Sequence, residues 1–185
     1  MVLEVSVFQI RIHGRGGQGV VSAAEMLSIS AFIEGKYAQA FPSFGSERMG
    51  APVMAFCRID DKEIRLREPI MEPDAVIIQD KTVIEASNAF GGLVNDGFAL
   101  INSANEVHYK LPNAKIACVD ATELALKYVG RPIPNAVLLG SFSALTGIIK
   151  IESVIEAVNT KFSGSIAEKN VNAARAAYDQ IMEKK

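Results

Sequence analysis

The spacing of apolar side chains predicts that strands and helices alternate from the start of the chain. Residues 5–13 carry Val, Phe and Ile at nearly every second position, a pattern typical of a buried strand. Over residues 20–33 the apolar positions recur at helical spacing, and Gly35 is placed to end that helix. Residues 36–41 again have strand character, so the beginning of the chain predicts a strand–helix–strand unit.

Further along, the pattern predicts a hairpin followed by more strand–helix units. Residues 53–59 alternate well, Asp60-Asp61 supplies a turn, and residues 62–66 return as an antiparallel partner. Further strands are predicted over residues 75–79, 97–102 and 115–120, and further helices over residues 82–90, 121–128, 135–150, 151–158 and 167–184. Strands that alternate with helices form parallel sheets covered on both faces. The sequence therefore predicts a single α/β domain over residues 1–185, a three-layer α/β/α fold with a mostly parallel mixed sheet that includes one β-hairpin.

Composition and charge exclude several classes of protein. The 185 residues are 49% hydrophobic and 22% charged, as in an ordinary globular domain. Lys and Arg total 19 against 21 Asp and Glu, a net charge of −2, which argues against a chain that coats nucleic acid or an anionic membrane. No apolar run approaches the roughly 20 residues that cross a bilayer, and the start shows no signal peptide. The expected location is the cytoplasm.

The cysteine count argues against a metal centre in this chain. An iron–sulfur cluster needs about four cysteine thiolates, and a structural zinc site needs a similar set of Cys and His. This chain has only Cys57, Cys118, His13 and His108, and their spacing is not that of metal ligands. Both cysteines lie in apolar runs, so we expect free thiols that are buried in the core.

A glycine-rich segment joins the first predicted strand to the first predicted helix. This segment, the glycine loop, is Gly14-Arg15-Gly16-Gly17-Gln18-Gly19, with glycines at the three positions of a Gly-x-Gly-x-x-Gly pattern. Such a loop lets backbone N–H groups approach a diphosphate at a helix N-terminus. The alternative is a tight turn that packs the helix on the sheet and binds nothing.

The residues around the glycine loop narrow the class of ligand. Val20-Val21 follows Gly19 where a nucleotide hydrolase of the P-loop type has Lys and Ser or Thr. A nicotinamide enzyme needs an acidic residue at the tip of its second strand, and here that tip is Phe41-Pro42-Ser43. The loop is therefore expected to bind phosphate or another anion, without NAD in its usual pose.

The loop after the second predicted strand is the other candidate for ligand binding, since strand ends face the ligand crevice in open α/β sheets. Arg48 could make a forked contact to phosphate or carboxylate, and Ser43 and Ser46 could donate to oxygen atoms. The alternative is a surface loop with an Arg–Glu pair. The chain offers no Ser–His–Asp, Cys–His or paired-carboxylate arrangement, so we predict no catalytic residue of its own.

Several segments, taken in order, resemble one family. They are His13–Gly19, Phe41-Pro-Ser-Phe-Gly-Ser-Glu-Arg-Met-Gly-Ala-Pro-Val53, Pro134-Asn-Ala-Val-Leu-Leu-Gly-Ser-Phe142 and Ala167–Asn170. Together they resemble the gamma subunit of 2-oxoacid:ferredoxin oxidoreductases, most closely the pyruvate type, also called pyruvate synthase. One departure is Gly45-Ser46-Glu47-Arg48-Met49-Gly50, where relatives often have Gly-Pro-Glu-Arg-Arg-Gly, so this chain lacks one basic residue there.

The resemblance implies one part of a multi-subunit enzyme. In that family thiamine diphosphate lies between the alpha and beta subunits, iron–sulfur clusters there and in a delta subunit pass electrons to ferredoxin, and coenzyme A takes the acyl group. It implies that the gamma chain binds no cluster and helps to hold coenzyme A at the active-site entrance. The expected contacts are Gly14, Arg15, Gly16, Gly17, Gln18, Gly19, Ser43, Ser46 and Arg48. The alternatives are a purely structural subunit and a free-standing nucleotide-binding oxidoreductase.

Overall fold

The computed structural model describes residues 7–43, 49–107, 109, 111 and 113–184, and a mixed sheet forms its centre. In chain order the strands of this six-stranded sheet are β1 (Phe8–Arg15), β2 (Tyr37–Pro42), β3 (Pro52–Asp60), β4 (Ala75–Ile78), β5 (Phe98–Asn102) and β6 (Lys115–Val119). Across the sheet the order is β2-β3-β1-β4-β5-β6. The β1–β4, β4–β5 and β5–β6 pairs are parallel, whereas β3 is antiparallel to both β1 and β2. The predicted α/β class and mostly parallel mixed sheet are confirmed.

The helices cover one face of this sheet. They are α1 (Val20–Ile33), α2 (Ala121–Val129), α3 (Asn135–Thr146), α4 (Ile151–Lys161) and α5 (Gly164–Met182). Alternate strand residues such as Ile10, Ile77 and Leu100 face the helices and form the larger core with Leu27 and Phe142. Because side chains alternate along a strand, the residues between them face the opposite side. There Val76, Ile78 and Ile101 form a smaller core with Ile84 and Ala89.

The opposite face is covered by a thinner layer than the sequence predicts. In place of a helix over residues 82–90, the chain forms a single 3-10 turn over Lys81–Val83 and then consecutive turns. Asn88 has a φ of 45°, in the left-handed region, so an α-helix cannot continue through it. The helix predicted over residues 135–150 likewise ends early, because Gly147 adopts a left-handed conformation with a φ of 68°.

The predicted hairpin between residues 53–59 and 62–66 is wrong in its second arm. β3 already has β1 on one edge and β2 on the other, so neither edge is free for residues 62–66. That segment is not a strand, and the chain then crosses the non-helical face of the sheet. Two buried arginines bind its carbonyls there: Arg58 donates to Glu68 at 2.7 Å and Arg11 donates to Ile70 at 3.4 Å. The antiparallel partners of β3 are β1 and β2.

The helices α3 and α5 approach each other closely at Gly140. A Cβ atom on this residue would overlap the backbone carbonyl of Ala174 in α5. The two helices can pack at this distance only because Gly140 has no side chain. Within the described residues, no helix combines the length and the apolar character that a membrane span requires.

Candidate functional site

The glycine loop turns sharply between β1 and α1. Gly17 has a φ of 91° and Gly19 has a φ of 76°, a left-handed conformation that residues with a Cβ adopt only at a cost. Gly19 is the N-cap of α1 and has no side chain to accept a hydrogen bond from the first turn, which also lacks an acidic residue. The first N–H groups of a helix have no partner within the helix and carry partial positive charge. The start of α1 therefore offers donors that suit an anion.

A cavity of about 740 Å³ opens in front of these donors, and we call it the glycine-loop cavity. It brings together five of the sequence-predicted contacts, which are Arg15, Gly16, Gly17, Gly19 and Ser43. Most of the remaining wall comes from the first turn of α1, the end of β2 and the start of β3. Lys161, at the end of α4, also lines the cavity, and its Nζ lies 3.0 Å from Oε2 of Glu25.

Sequence reasoning missed both Lys161 and Glu25. Glu25 lies in the second turn of α1, but no motif contains it. Lys161 is 136 residues further along the chain, and only the packing of α4 against α1 brings it to the cavity. The helical spacing of apolar residues predicted both helices but could not show which helices are neighbours.

Gln18 stabilises the glycine loop from behind. Its Oε1 accepts a hydrogen bond from the backbone N–H of Arg15 at 2.8 Å, and its Nε2 donates to Oδ2 of Asp80 at 3.0 Å. The backbone N–H of Gln18 also donates to the carbonyl of Arg15 at 3.0 Å. Gln18 does not line the glycine-loop cavity but a smaller polar cleft beside it, so its observed contacts hold the loop in shape.

The guanidinium of Arg15 is already engaged at the edge of the cavity. It donates to Oγ1 of Thr82 at 2.7 and 3.0 Å and to the carbonyl of Gly50 at 2.9 Å, and it lies 3.5 Å from the carboxylate of Asp80. The backbone of the loop is tied to the same segment, since Gly16 donates to the carbonyl of Ala51 at 2.9 Å. The two predicted loops therefore meet, and Arg15 joins them.

Asp80 accepts hydrogen bonds at the centre of this network. Burial alone would raise the pKa of its carboxyl group, but hydrogen bonds from Thr82 and Gln18 and the charge of Arg15 outweigh burial and hold the pKa below its ordinary value. The carboxylate is therefore the form that the folded loop requires.

We expect Asp80→Ala to lower the free energy of unfolding by about 2 kcal/mol, because the carboxylate caps the 3-10 turn and binds Gln18 and Arg15. The matched control is Asp120→Ala, which removes a carboxylate that caps only α2 and should cost about 1 kcal/mol. Urea unfolding gives the energies, and hydrogen exchange should show faster exchange of the Gln18 amide in the Asp80 variant alone. Equal losses and unchanged exchange would contradict this role.

Gly14 allows α1 to pack closely on β1. A Cβ atom there would lie 2.7 Å from Cγ2 of Val20 and 3.1 Å from Oε1 of Gln79. The residue is not among those that line the glycine-loop cavity, and its observed role is close strand–helix packing. Ser46 and Arg48 lie outside the described residues.

Asn135 supports the loop from the other side, and sequence reasoning missed it as well. Its Nδ2 donates to the carbonyl of Gly19 at 3.1 Å, and its Oδ1 accepts from Nε2 of Gln79 at 2.7 Å. Asn135 was visible in the sequence only as part of the Pro134–Phe142 motif. Its contact with Gly19 spans 116 residues, which no local pattern could reveal.

His13 is a structural residue. It is fully buried, and its Nε2 accepts a hydrogen bond from Nε of Arg11 at 3.1 Å. Oγ of Ser87 donates to the carbonyl of Val83, so it accepts from Nδ1–H of His13, at 3.1 Å. Burial, together with the charge of Arg11, lowers the pKa of His13 to about 3. The ring is neutral near pH 7 and does not line the cavity.

The topology explains why the acidic residue of a nicotinamide site is missing. Such a site uses the carboxyl end of the second strand in chain order, which lies parallel to the first strand and beside it. On the β2 side of the sheet, the neighbour of β1 is the antiparallel strand β3, which begins at this edge with Pro52. At this edge of the sheet, the strand beside β1 therefore begins, whereas in a nicotinamide site the strand beside the first strand ends there and carries the acidic residue.

The two cysteines cannot share a ligand. Cys57 is buried in the core under the helices, as predicted, whereas Cys118 is only partly buried and packs against the smaller core on the opposite face, so the predicted burial of Cys118 is wrong. Burial raises the pKa of the Cys57 thiol to about 12. Within the described residues, no three His, Cys, Asp or Glu side chains come together as a metal site would require. His108 lies outside those residues.

The fold and the loop define an α/β protein with a glycine-rich strand–helix turn at the open edge of a mixed sheet. Comparison with known families makes the assignment specific, since the model of the pyruvate ferredoxin/flavodoxin oxidoreductase family matches residues 9–180. The chain belongs to this family, and the resemblance seen in the motifs is confirmed.

Curated relatives match nearly the whole chain. It is 49% identical over 175 residues to pyruvate synthase subunit PorC of Methanothermobacter marburgensis, covering 95% of this chain and 98% of that one. It is also 49% identical over 179 residues to the pyruvate/ketoisovalerate oxidoreductases common subunit gamma of Pyrococcus furiosus, covering 94% and 97% of the two chains.

Solved structures share the fold. Pyruvate oxidoreductase subunit PORC from Thermotoga maritima matches with a TM-score of 0.83 and 38% identity over 94% of this chain and 96% of that one. The 2-oxoglutarate:ferredoxin oxidoreductase of Magnetococcus marinus matches with a TM-score of 0.81. At 17% identity this second likeness concerns the fold alone, and it spans 98% of this chain but 32% of that longer one.

Proposed function

We propose that this chain is the gamma subunit of a pyruvate:ferredoxin oxidoreductase. The enzyme cleaves pyruvate to CO2 and an acetyl group, transfers that group to coenzyme A and passes two electrons to ferredoxin, and the reaction is reversible. Relatives named as pyruvate synthase subunit PorC or as a gamma subunit match nearly end to end and support this assignment. The proposed partners are the alpha, beta and delta subunits and, through them, ferredoxin.

Thiamine diphosphate and iron–sulfur clusters, which would supply the carbanion and electron-transfer chemistry, are assigned to the partner subunits. The described residues of this chain do not fit a cluster, because Cys57 and Cys118 face opposite sides of the sheet. The chain's own contribution is therefore to bind and orient a substrate. We assign it no catalytic residue.

The substrate that fits the site is coenzyme A, bound by its diphosphate at the glycine loop. The observation that carries this proposal is the glycine-loop cavity of about 740 Å³, which is lined by the uncapped start of α1, Ser43 and the ion pair of Lys161 with Glu25. Backbone N–H groups at a helix N-terminus donate to phosphate oxygens, a hydroxyl adds a further donor, and a nearby ammonium favours the negative charge. The network around Asp80 keeps this loop in shape before the substrate arrives.

In this proposal Lys161 exchanges partners when the anion binds. Its ammonium now lies 3.0 Å from the carboxylate of Glu25, and both side chains are partly exposed at the cavity wall. A diphosphate placed at the start of α1 would offer this ammonium a second, more highly charged partner. Arg15 keeps its contacts with Thr82 and Gly50 and positions the loop.

A negative charge introduced into the glycine-loop cavity by substitution tests whether coenzyme A binds there. In the assembled complex, Ser43→Asp should raise the KM for coenzyme A about tenfold or more, since a carboxylate there repels the diphosphate, and should leave the KM for pyruvate nearly unchanged. The matched control is Asn113→Asp, which adds the same charge at an exposed residue before β6 that lines neither this cavity nor the other cavities described. A purely structural subunit predicts equal KM values for coenzyme A in both variants.

The subunit assignment has its own test. Ferredoxin reduction that depends on pyruvate and coenzyme A is measured for the partner subunits with and without the purified chain. Activity that appears only when the chain is added is the expected result. Full activity without the chain would overturn the assignment. Tight binding of NAD by the chain alone would favour a free-standing oxidoreductase.

A further inference from the structure

A second cavity, of about 280 Å³, lies where the segment before α3 meets the start of α5, and the glycine loop does not account for it. We call it the α3–α5 groove. Its apolar wall consists of Val129, Ile133, Phe162 and Ile166. Ile133 is 45% exposed and Ile166 is 54% exposed, so two branched apolar side chains in the wall of this groove are open to solvent. An apolar centre with charged residues at its rim is the arrangement found in protein–protein interfaces.

The charge around the groove has one sign. Arg131 and Lys169 both line it, and no Asp or Glu does so. Among the described residues four ion pairs form, and neither of these two cations takes part in one. Both cations are exposed. The groove therefore combines an apolar wall with two cations that have no carboxylate partner in the described part of the chain.

The side-chain N–H donors of the two asparagines that line the groove already donate within the chain. Asn135 is held by Gly19 and Gln79, and Nδ2 of Asn170 donates to the carbonyl of Ile166 at 2.8 Å. The groups left to attract an occupant with acceptor oxygens are therefore the two cations, beside the apolar wall. A peptide segment with a carboxylate between apolar side chains supplies both kinds of contact.

We propose that the α3–α5 groove is the docking site for one segment of a partner subunit, in which an Asp or Glu lies between apolar side chains. The inference rests on the proposed function, because only a subunit has such a partner. The carboxylate pairs with Arg131 and Lys169, and the apolar side chains cover Ile133 and Ile166. Apolar anchors surrounded by complementary charge are the arrangement that gives an interface both affinity and specificity.

The α3–α5 groove lies next to the glycine-loop cavity. Lys161 lines the glycine-loop cavity, and the next residue, Phe162, lines the groove. Asn135 lines the groove and also binds the carbonyl of Gly19. The docked segment therefore lies beside the glycine-loop cavity and shares a wall with it.

Charge reversal in the full chain tests the docking site. The partner subunits, assembled without this chain, are immobilised and titrated with the purified chain. The Arg131→Glu/Lys169→Glu double variant should bind about tenfold more weakly or worse. The matched control is Arg175→Glu/Lys184→Glu, which makes the same change of charge at exposed positions outside the groove. Ile166→Ser tests the apolar wall and should also weaken binding.

A crosslinking experiment identifies the occupant. A photoreactive benzoylphenylalanine at position 166 of the assembled complex should crosslink to a partner segment that contains Asp or Glu, whereas the same group at position 175 should not. Equal binding of the groove and control variants would overturn the proposal. So would a groove variant that changes the KM for coenzyme A but not assembly, since the groove would then bind a small anion. Failure of the unmodified chain to bind the partner subunits would overturn the proposed function itself.

Discussion

Gly140→Ala is expected to lower the free energy of unfolding by about 3 kcal/mol or more, although alanine is normally the better helix former by about 1 kcal/mol. The new methyl group would overlap the carbonyl of Ala174, and backbone atoms cannot move aside as the end of a flexible side chain can. The helices α3 and α5 must then separate, which opens the larger core around Phe142. Chemical denaturation of the purified chain measures this loss.

Gly35→Ala is the comparison that separates crowding from backbone strain. Gly35 has a φ of 76°, but a Cβ atom there would meet no atom within 4 Å. Its replacement should cost about 1 kcal/mol, which is the price of a left-handed conformation alone. A loss at Gly140 no larger than the loss at Gly35 would show that the two helices can separate without cost and would contradict the packing argument.

Acid is expected to destabilise the protein through His13, by about 3 kcal/mol between pH 7 and pH 4. Burial and the nearby charge of Arg11 hold the pKa of His13 at about 3 in the folded chain, against 6.5 for an ordinary histidine. Between these values the unfolded chain binds the additional proton, so the stability that is present above pH 6.5 is lost as the pH falls toward 3. Each pH unit in this window costs about 1.4 kcal/mol.

The contribution of His13 is isolated with His13→Gln, which keeps an acceptor toward Arg11 but cannot be protonated. The variant should be less stable at pH 7, because its contact with Ser87 changes. Its stability should then fall less steeply than that of the unmodified chain between pH 7 and pH 4, with carboxylate titration common to both. Parallel pH profiles in urea unfolding would show that His13 is not the group responsible.

The elements that the sequence predicted well are those whose signal is local. The helix over residues 20–33 follows from apolar spacing and the glycines at its ends, and the structure places α1 at those residues. The partner of β3 could not be found this way. Residues 62–66 alternate like a strand, but whether an edge of β3 is free depends on β1 and β2, which lie far from those residues in the sequence.

In the candidate site, too, residues in a contiguous pattern could be predicted, and residues from distant parts of the sequence could not. The glycine loop was predicted because its glycines, flanked by a strand and a helix, form a contiguous pattern. Lys161 and Asn135 reach the site only through contacts that span more than a hundred residues, and the sequence shows Asn135 only as part of the Pro134–Phe142 motif. Glu25 lies in α1 next to the loop, but no motif marks it as a cavity residue. Gln18 is predicted as a ligand contact, but its side chain donates to Asp80 and does not line the cavity. The sequence could not show this contact, because Asp80 follows a different strand, β4.

The opposite placement of the two cysteines governs how this chain responds to oxidation. β3 and β6 are separated by three strands, so the Cα atoms of Cys57 and Cys118 lie at least about 19 Å apart at the usual strand spacing. A disulfide requires Cα atoms within about 7 Å, so the folded chain cannot join its own thiols. Cys57 is also buried as a neutral thiol, whereas Cys118 is partly exposed. A disulfide found after air exposure therefore links Cys118 to another molecule or reports that the fold has opened.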